Sequence, residues 1–195
     1  MLCSVICVSH SSCNRVPLFL WKSVSFKADF DLITRMSKVK VLFVCLGNIC
    51  RSPLAEAIFK TKISRKQLDH LVEADSCGTS NYHIGDLPDP RTIANAKKNG
   101  VTIHHRGRQL TPQDIAYYDF VVVMDKSNYK NVLQVEGAAE QQHKIALLRN
   151  FGNEGDAEVP DPYYGGELEF QNVFEILDRS IESFIAFLEK NQFKA

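Results

Sequence analysis

The segment Val41-Leu-Phe-Val-Cys45-Leu-Gly-Asn-Ile-Cys50-Arg51-Ser52-Pro53 constrains this chain more than any other stretch. The apolar, β-branched run from Val39 to Val44 reads as a buried strand. Gly47 and Asn48 accept unusual backbone angles and mark a tight loop. Ser52-Pro53 reads as a helix opening, with serine able to cap and proline suited to the first turn. Such strand–loop–helix turns collect anions, because unpaired N–H groups and the positive helix end converge there. A cysteine held in that field is expected as a thiolate, hence a nucleophile. Arg51, six positions after Cys45, is placed to grip an oxyanion face with two hydrogen bonds. Together these residues argue for phosphoryl transfer to sulfur.

The spacing alone is weak. In a chain with six cysteines a bare Cys-x5-Arg arises by accident about a quarter of the time, and then means only a buried Cys and a surface Arg. The strand before it and the helix opening after it carry the weight.

The 195 residues fit one domain, or a domain with an extension. Lys plus Arg equal Asp plus Glu at 23 each, so net charge makes no case for nucleic acid or an anionic membrane. No apolar run reaches the length of a bilayer span. Cys3, Cys7, Cys13, Cys45, Cys50 and Cys77 form no dense secreted-type framework, and no Cys/His spacing resembles a zinc site. A reducing, cytoplasmic setting suits a thiolate that oxidation would destroy.

Residues 1–35 differ from the rest. They hold three of the six cysteines, six serines, and no acid before Asp29. A transit peptide, a disordered tail, and an upstream translation preceding a true start at Met36 all fit this composition. A secretory signal fits least, since there is no basic leader and the apolar stretches are broken by Ser, His and Cys. The segment is expected to lie outside the folded domain, 36–195.

From Lys38 onward strands and helices alternate. Strands are predicted at Val39–Val44, Leu71–Ala74, Phe120–Met124 and Lys144–Leu148. Helices are predicted at Pro53–Lys62, Pro90–Lys98, Pro112–Tyr117, Ser127–Val135 and Leu168–Lys190. Asp89 is the expected cap, and Gly100 the expected stop, of the second helix. Phe170, Val173, Ile176, Leu177, Ile181, Phe184 and Leu188 follow helical spacing and read as core. Apolar strands between helices mean a parallel sheet covered on both faces. Ligands of such sheets sit beyond the carboxyl ends of the strands, where Cys45 falls.

Phosphoryl transfer to a thiolate also needs an acid for the leaving oxygen. Asp161, in Val159-Pro-Asp-Pro-Tyr-Tyr164-Gly-Gly, is the candidate. Two prolines fix the backbone around it, two glycines release it, and the loop follows the last strand. Tyr163 and Tyr164 are placed to wall a cleft and stack on an aromatic ring. An acidic surface turn with exposed tyrosines would look the same by spacing alone.

Cys45-x5-Arg51-Ser52-Pro53 at the start and Asp161-Pro-Tyr-Tyr164 near the end jointly resemble the low-molecular-weight protein tyrosine phosphatases. Asp75-Ser-Cys-Gly-Thr79-Ser80-x-Tyr82, Asp89-Pro-Arg91, His105-x-x-Arg108-Gln109 and Met124-Asp125-Lys-Ser127-Asn128 extend the likeness from about Met36 to the C-terminus. The resemblance implies a flavodoxin-like α/β three-layer sandwich, with four parallel strands in order 2-1-3-4. It implies hydrolysis of phosphotyrosine proteins or small aryl phosphates through a cysteinyl-phosphate, releasing inorganic phosphate. No cofactor or metal is implied, and a monomer or weak dimer is expected.

By the same resemblance Cys45 is the nucleophile, Arg51 the phosphate clamp and Asp161 the acid that later activates water. The backbone of Leu46, Gly47, Asn48, Ile49, Cys50 and Arg51 is the cradle. Ser52 stabilises the departing thiolate. Asn48 holds the cradle in a strained shape through Ser76 and His105, and Asp125 supports it from below. Ile49, Tyr82, Tyr163 and Tyr164 line the substrate cleft. Cys50 is implied as a reversible disulfide partner for Cys45; packing of the loop is the simpler role.

Other readings are weaker. An arsenate reductase of the same fold needs two later cysteines, and none follows Cys77. A protein arginine phosphatase or small-molecule phosphatase of this fold is closer, although arginine phosphatases tend to have Thr where Ile49 stands. A non-catalytic phosphopeptide module would be expected to lose Cys45 or Asp161. A P-loop NTPase lacks its Gly-Lys-Ser/Thr here.

Overall fold

Val39–Cys45 forms the first strand, β1, at the centre of a four-stranded sheet. In the computed structural model, residues 38–152 and 155–193 are described; all belong to the unit Met36–Ala195, and the readings placed on residues 1–35 lie outside the described residues. The remaining strands are β2 (Val72–Gly78), β3 (Phe120–Val123) and β4 (Ile145–Leu147). The helices are α1 (Arg51–Arg65), α2 (Pro90–Lys98), α3 (Pro112–Tyr117), α4 (Lys126–Val132) and α5 (Glu167–Asn191). The sheet order is β2-β1-β3-β4, with every pairing parallel. That is the predicted α/β sandwich.

β1 shows why a continuous apolar run belongs at the centre. Its side chains alternate across the pleat, and both faces are covered. Val41, Phe43 and Cys45 join α1 and α5 in one core. Leu42 and Val44 join Ile115, Tyr118, Val121, Val123, Val132 and Leu147 in the other. Phe43, Phe59 and Phe184 form a ring cluster with centroids 5.4–6.3 Å apart, tying strand to both helices. Each such fully buried side chain contributes about 1.5–3 kcal/mol. All seven stripe residues of the last helix are buried.

Element boundaries differ from the sequence expectation in instructive ways. β2 runs to Gly78, four residues past the predicted end, because seven consecutive β1 partners from Val39↔Val72 to Cys45↔Gly78 supply its ladder. α1 starts at Arg51, so Cys50 and not Ser52 takes the cap position, and no side chain caps this end. The Ser52 hydroxyl is committed elsewhere, as described below. β4 is only three residues long, and Lys144 and Leu148 fall in the 3-10 turns on either side. α4 closes at Val132, three residues early, and a tighter turn follows, with Val135 N–H donating to the Val132 carbonyl at 3.0 Å. Asp89 caps α2 as expected, accepting from Arg91 N–H at 2.8 Å, and Gly100 ends the segment at φ +75°.

Candidate active site

β1 delivers Cys45 to the carboxyl edge of the sheet, and the chain turns at once into α1. The turn requires Asn48 at φ +56°, a conformation that costs most residues about 1–2 kcal/mol and that Asn tolerates best after Gly. Its side chain shows why it holds. Asn48 is buried and its amide donates to Ser52 Oγ (2.9 Å) and Ser76 Oγ (3.1 Å). Its carbonyl oxygen accepts from Arg108 N–H (2.9 Å) and faces His105 Nε2 at 2.7 Å. The expected Asn48–Ser76–His105 network is therefore present. With no side-chain cap on α1, its first N–H groups are free to face an anion, as the strand–loop–helix geometry favours.

Cys45 Sγ accepts from the Asn48 N–H at 3.3 Å and lies 3.0 Å from Ser52 Oγ. The Ser52 hydroxyl is also 3.2 Å from the Cys77 carbonyl, so its one proton has two acceptors within reach. Thr79 and Ser80 N–H groups donate to the Cys45 and Leu46 carbonyls at 2.9 Å, pinning the start of the loop to the end of β2. Gly78 is required there: a Cβ would sit 2.7 Å from the Leu46 carbonyl oxygen.

Arg51 points back across the cradle and is nearly fully buried. Nη1 donates to Asp125 Oδ2 at 2.6 Å and to the Val159 carbonyl at 3.3 Å; Nη2 donates to Asp161 Oδ2 at 2.5 Å. Burial opposes its charge, yet the Cys45 sulfur, Asp161 and Asp125 outweigh that and raise its pKa. One Asp125 oxygen thus holds the Arg51 guanidinium, while the other caps α4 through Asn128 N–H (2.6 Å). Val159 N–H donates to the Met124 carbonyl at 2.8 Å, which docks the loop carrying Asp161 beyond β3. Asp161 is 44% exposed, at the mouth of the site.

A cleft of about 350 Å³ opens above the sulfur. Cys45, Leu46, Gly47, Ile49, Cys50, Arg51, Tyr82, Asp161, Tyr163 and Tyr164 line it; Asn48 and Ser52 lie outside the lining. Tyr163 and Tyr164 pack edge to face at 5.1 Å. Cys50 packs with Ile49 and Phe170, and burial pushes its thiol up to about 12.

Two features escaped the sequence reading. His83 also lines the cleft, its Nδ1 3.0 Å from Asp86 Oδ2; no motif flags it. Glu56, buried on α1, accepts from Ser76 Oγ at 2.7 Å and lies 3.2 Å from His105 Nδ1, behind the Asn48 network. Burial resists its charge, but His105, Lys60 and Ser76 prevail and lower its pKa. Its one sequence signal was Lys60 four residues on, the spacing of a helical ion pair, which forms at 2.5 Å. Glu56, Asp75 and His105 bring ligand-type atoms within 4.8 Å of one another. Each is already engaged, Asp75 by the Arg108 guanidinium at 2.8 Å.

This arrangement has relatives. Residues 40–194 match the family model described as low molecular weight phosphotyrosine protein phosphatase. The chain is 41% identical over 138 residues to a protein of that name from Schizosaccharomyces pombe, covering 70% of this chain and 88% of the other. It is 40% identical over 151 residues to the one from Gallus gallus, covering 77% and 94%. A crystal structure of a protein tyrosine phosphatase from Entamoeba histolytica, with Hepes in its active site, superposes with a TM-score of 0.75 at 37% identity, covering 80% of this chain and all of that one. The chain belongs to the low molecular weight phosphotyrosine protein phosphatase family.

Proposed function

We propose that this chain hydrolyses phosphotyrosine proteins and small aryl phosphates, without a cofactor, as a cytoplasmic monomer or weak dimer. The observation that carries this reading is the meeting of two stretches distant in sequence: the cradle with Cys45 and Arg51, and the loop with Asp161, joined to Arg51 at 2.5 Å. In the first step Cys45 Sγ attacks phosphorus as the thiolate, and the bond from phosphorus to the phenolic oxygen breaks. Asp161 gives that oxygen its proton. Arg51 and the amides of residues 46–51 stabilise charge on the three equatorial oxygens. In the second step Asp161 takes a proton from water, the water oxygen attacks phosphorus, and the S–P bond breaks. Ser52, 3.0 Å from the sulfur, donates to the departing thiolate, and inorganic phosphate leaves.

The cleft supports an aryl substrate. Ile49, Tyr82, Tyr163 and Tyr164 give apolar and aromatic walls to the cleft that holds the sulfur. No helix among the described residues is long and apolar enough to cross a membrane. The test is hydrolysis of p-nitrophenyl phosphate and of phosphotyrosine, phosphoserine, phosphoarginine and flavin mononucleotide at mildly acidic pH. Turnover of aryl esters, unaffected by EDTA and lost in Cys45→Ser, is expected. Preference for phosphoarginine, or activity surviving in Cys45→Ser, would overturn the reading.

A further inference from the structure

Asp161 sits on a loop, yet proton donation needs it held to within a fraction of an ångström. A single guanidinium on α2 spans the gap between that loop and the cradle. Arg91 Nε and Nη2 clasp the Asp89 carboxylate at 3.0 and 2.7 Å. The same guanidinium donates outward to the Tyr163 carbonyl (3.0 Å) and the Gly165 carbonyl (3.1 Å). Both ends of this clip are anchored. Asp89 N–H donates to the Ile49 carbonyl of the cradle at 2.9 Å. On the loop side, Tyr163 N–H donates to Asp161 Oδ1 at 3.1 Å. The guanidinium also lies over the Phe170 ring at 4.6 Å, and Phe170 packs on Ile49 and Cys50.

We propose that Arg91 is a positioning residue that sets the Asp161 carboxyl over the leaving oxygen, acting through the bonded path Ile49–Asp89–Arg91–Tyr163–Asp161. This rests on the phosphatase reading above. The planar fork is needed, because one group must satisfy a carboxylate on one side and two carbonyls on the other. Lysine offers one point of charge and cannot bridge all three. The hydrogen bonds of Arg91 itself go to Asp89 and to the Tyr163 and Gly165 carbonyls and to no group that grips the phosphate, so its role falls on the proton.

That confinement makes the test specific. Single-turnover rates of wild type, Arg91→Ala, Arg91→Lys and Asp161→Ala are measured on aryl phosphates ranging from p-nitrophenyl to phenyl. A misplaced acid costs most where the leaving phenolate is most basic. The loss in Arg91→Ala is expected to grow along the series, from a few-fold to on the order of 10²-fold, within the range of a lost general acid. Arg91→Lys should fall between, and Arg91→Ala/Asp161→Ala should be no slower than Asp161→Ala. A uniform loss across the series, an additive double variant, or no loss would overturn the proposal. Failure of wild type to turn over any of these esters would instead sink the phosphatase reading. Should Arg91→Ala not fold by circular dichroism, Asp89→Asn takes its place; it keeps the cap on α2 and releases the clip.

Discussion

On the proposed mechanism a bound oxyanion would compete with Asp161 for the Arg51 guanidinium, and the competition would have a measurable size. Arg51 Nη2 lies 2.5 Å from Asp161 Oδ2 while Nη1 serves Asp125. An oxyanion gripped by Arg51 would sit about 4 Å from the Asp161 carboxylate, where like unit charges repel by about 1 kcal/mol in water and about 4 kcal/mol at an effective dielectric of 20. Arg51 is 4% exposed but Asp161 is 44% exposed, which places the penalty toward the solvated end. We take about 2 kcal/mol, or about 30-fold in affinity. Asp161→Asn keeps the shape and deletes the charge. It should bind inorganic phosphate about 30-fold tighter than wild type at pH 7.5, read by isothermal titration calorimetry. Equal or weaker phosphate binding by Asp161→Asn at pH 7.5 would refute the reasoning, since the carboxylate would then be helping the anion.

Three other perturbations test the frame of the site. Gly78→Ala drives a methyl to 2.7 Å from the Leu46 carbonyl, so it should cost about 1–3 kcal/mol of stability and lower kcat/KM about tenfold or more; unchanged melting and kinetics would contradict the close approach. Glu56, with its folded pKa lowered, contributes stability that is fully in place above its unfolded value of about 4.3 and lost as pH falls through the depressed value. The Tm lead of wild type over Glu56→Gln should therefore be widest near neutrality and shrink below about pH 4; a lead independent of pH would remove the ion-pair role. Burial pushes the Cys50 thiol up to about 12 and the fully buried Cys77 thiol well above its usual range. Iodoacetamide at pH 7 should label Cys45 ahead of both, mapped by mass spectrometry; faster labelling of Cys50 would contradict that order.

What the sequence conveyed and what it hid divide along physical lines. The β1 run was legible because a strand covered on both faces must be continuously apolar. The stripe of α5 was legible because one buried helix face repeats every 3.6 residues. The end of β2 was not: Asp75, Ser76 and Gly78 disfavour strands, and only pairing with β1 makes them one. Cys45, Arg51 and Asp161 stood out through their loops, whose glycines and prolines reveal special backbone. Glu56 stayed hidden because a charged residue on a helix looks like a solvated face until its neighbours arrive from β2 and from His105. The Arg91 clip stayed hidden for a related reason, since both of its loop acceptors are backbone carbonyls and carry no side-chain signature.

The sheet order has a consequence for synthesis. The central strand is made first, but its partner β3 follows more than half the domain later, and Asp161 and α5 come last. At about 5–20 residues per second, a nascent chain carries the Cys45 sulfur for on the order of 10 s before Asp161 exists. The ring cluster that seals the core beneath that sulfur is likewise incomplete until Phe184 leaves the ribosome. The residues of the proposed catalytic set can therefore meet only after synthesis has passed Asp161, and a chain stopped before it keeps the thiol alone.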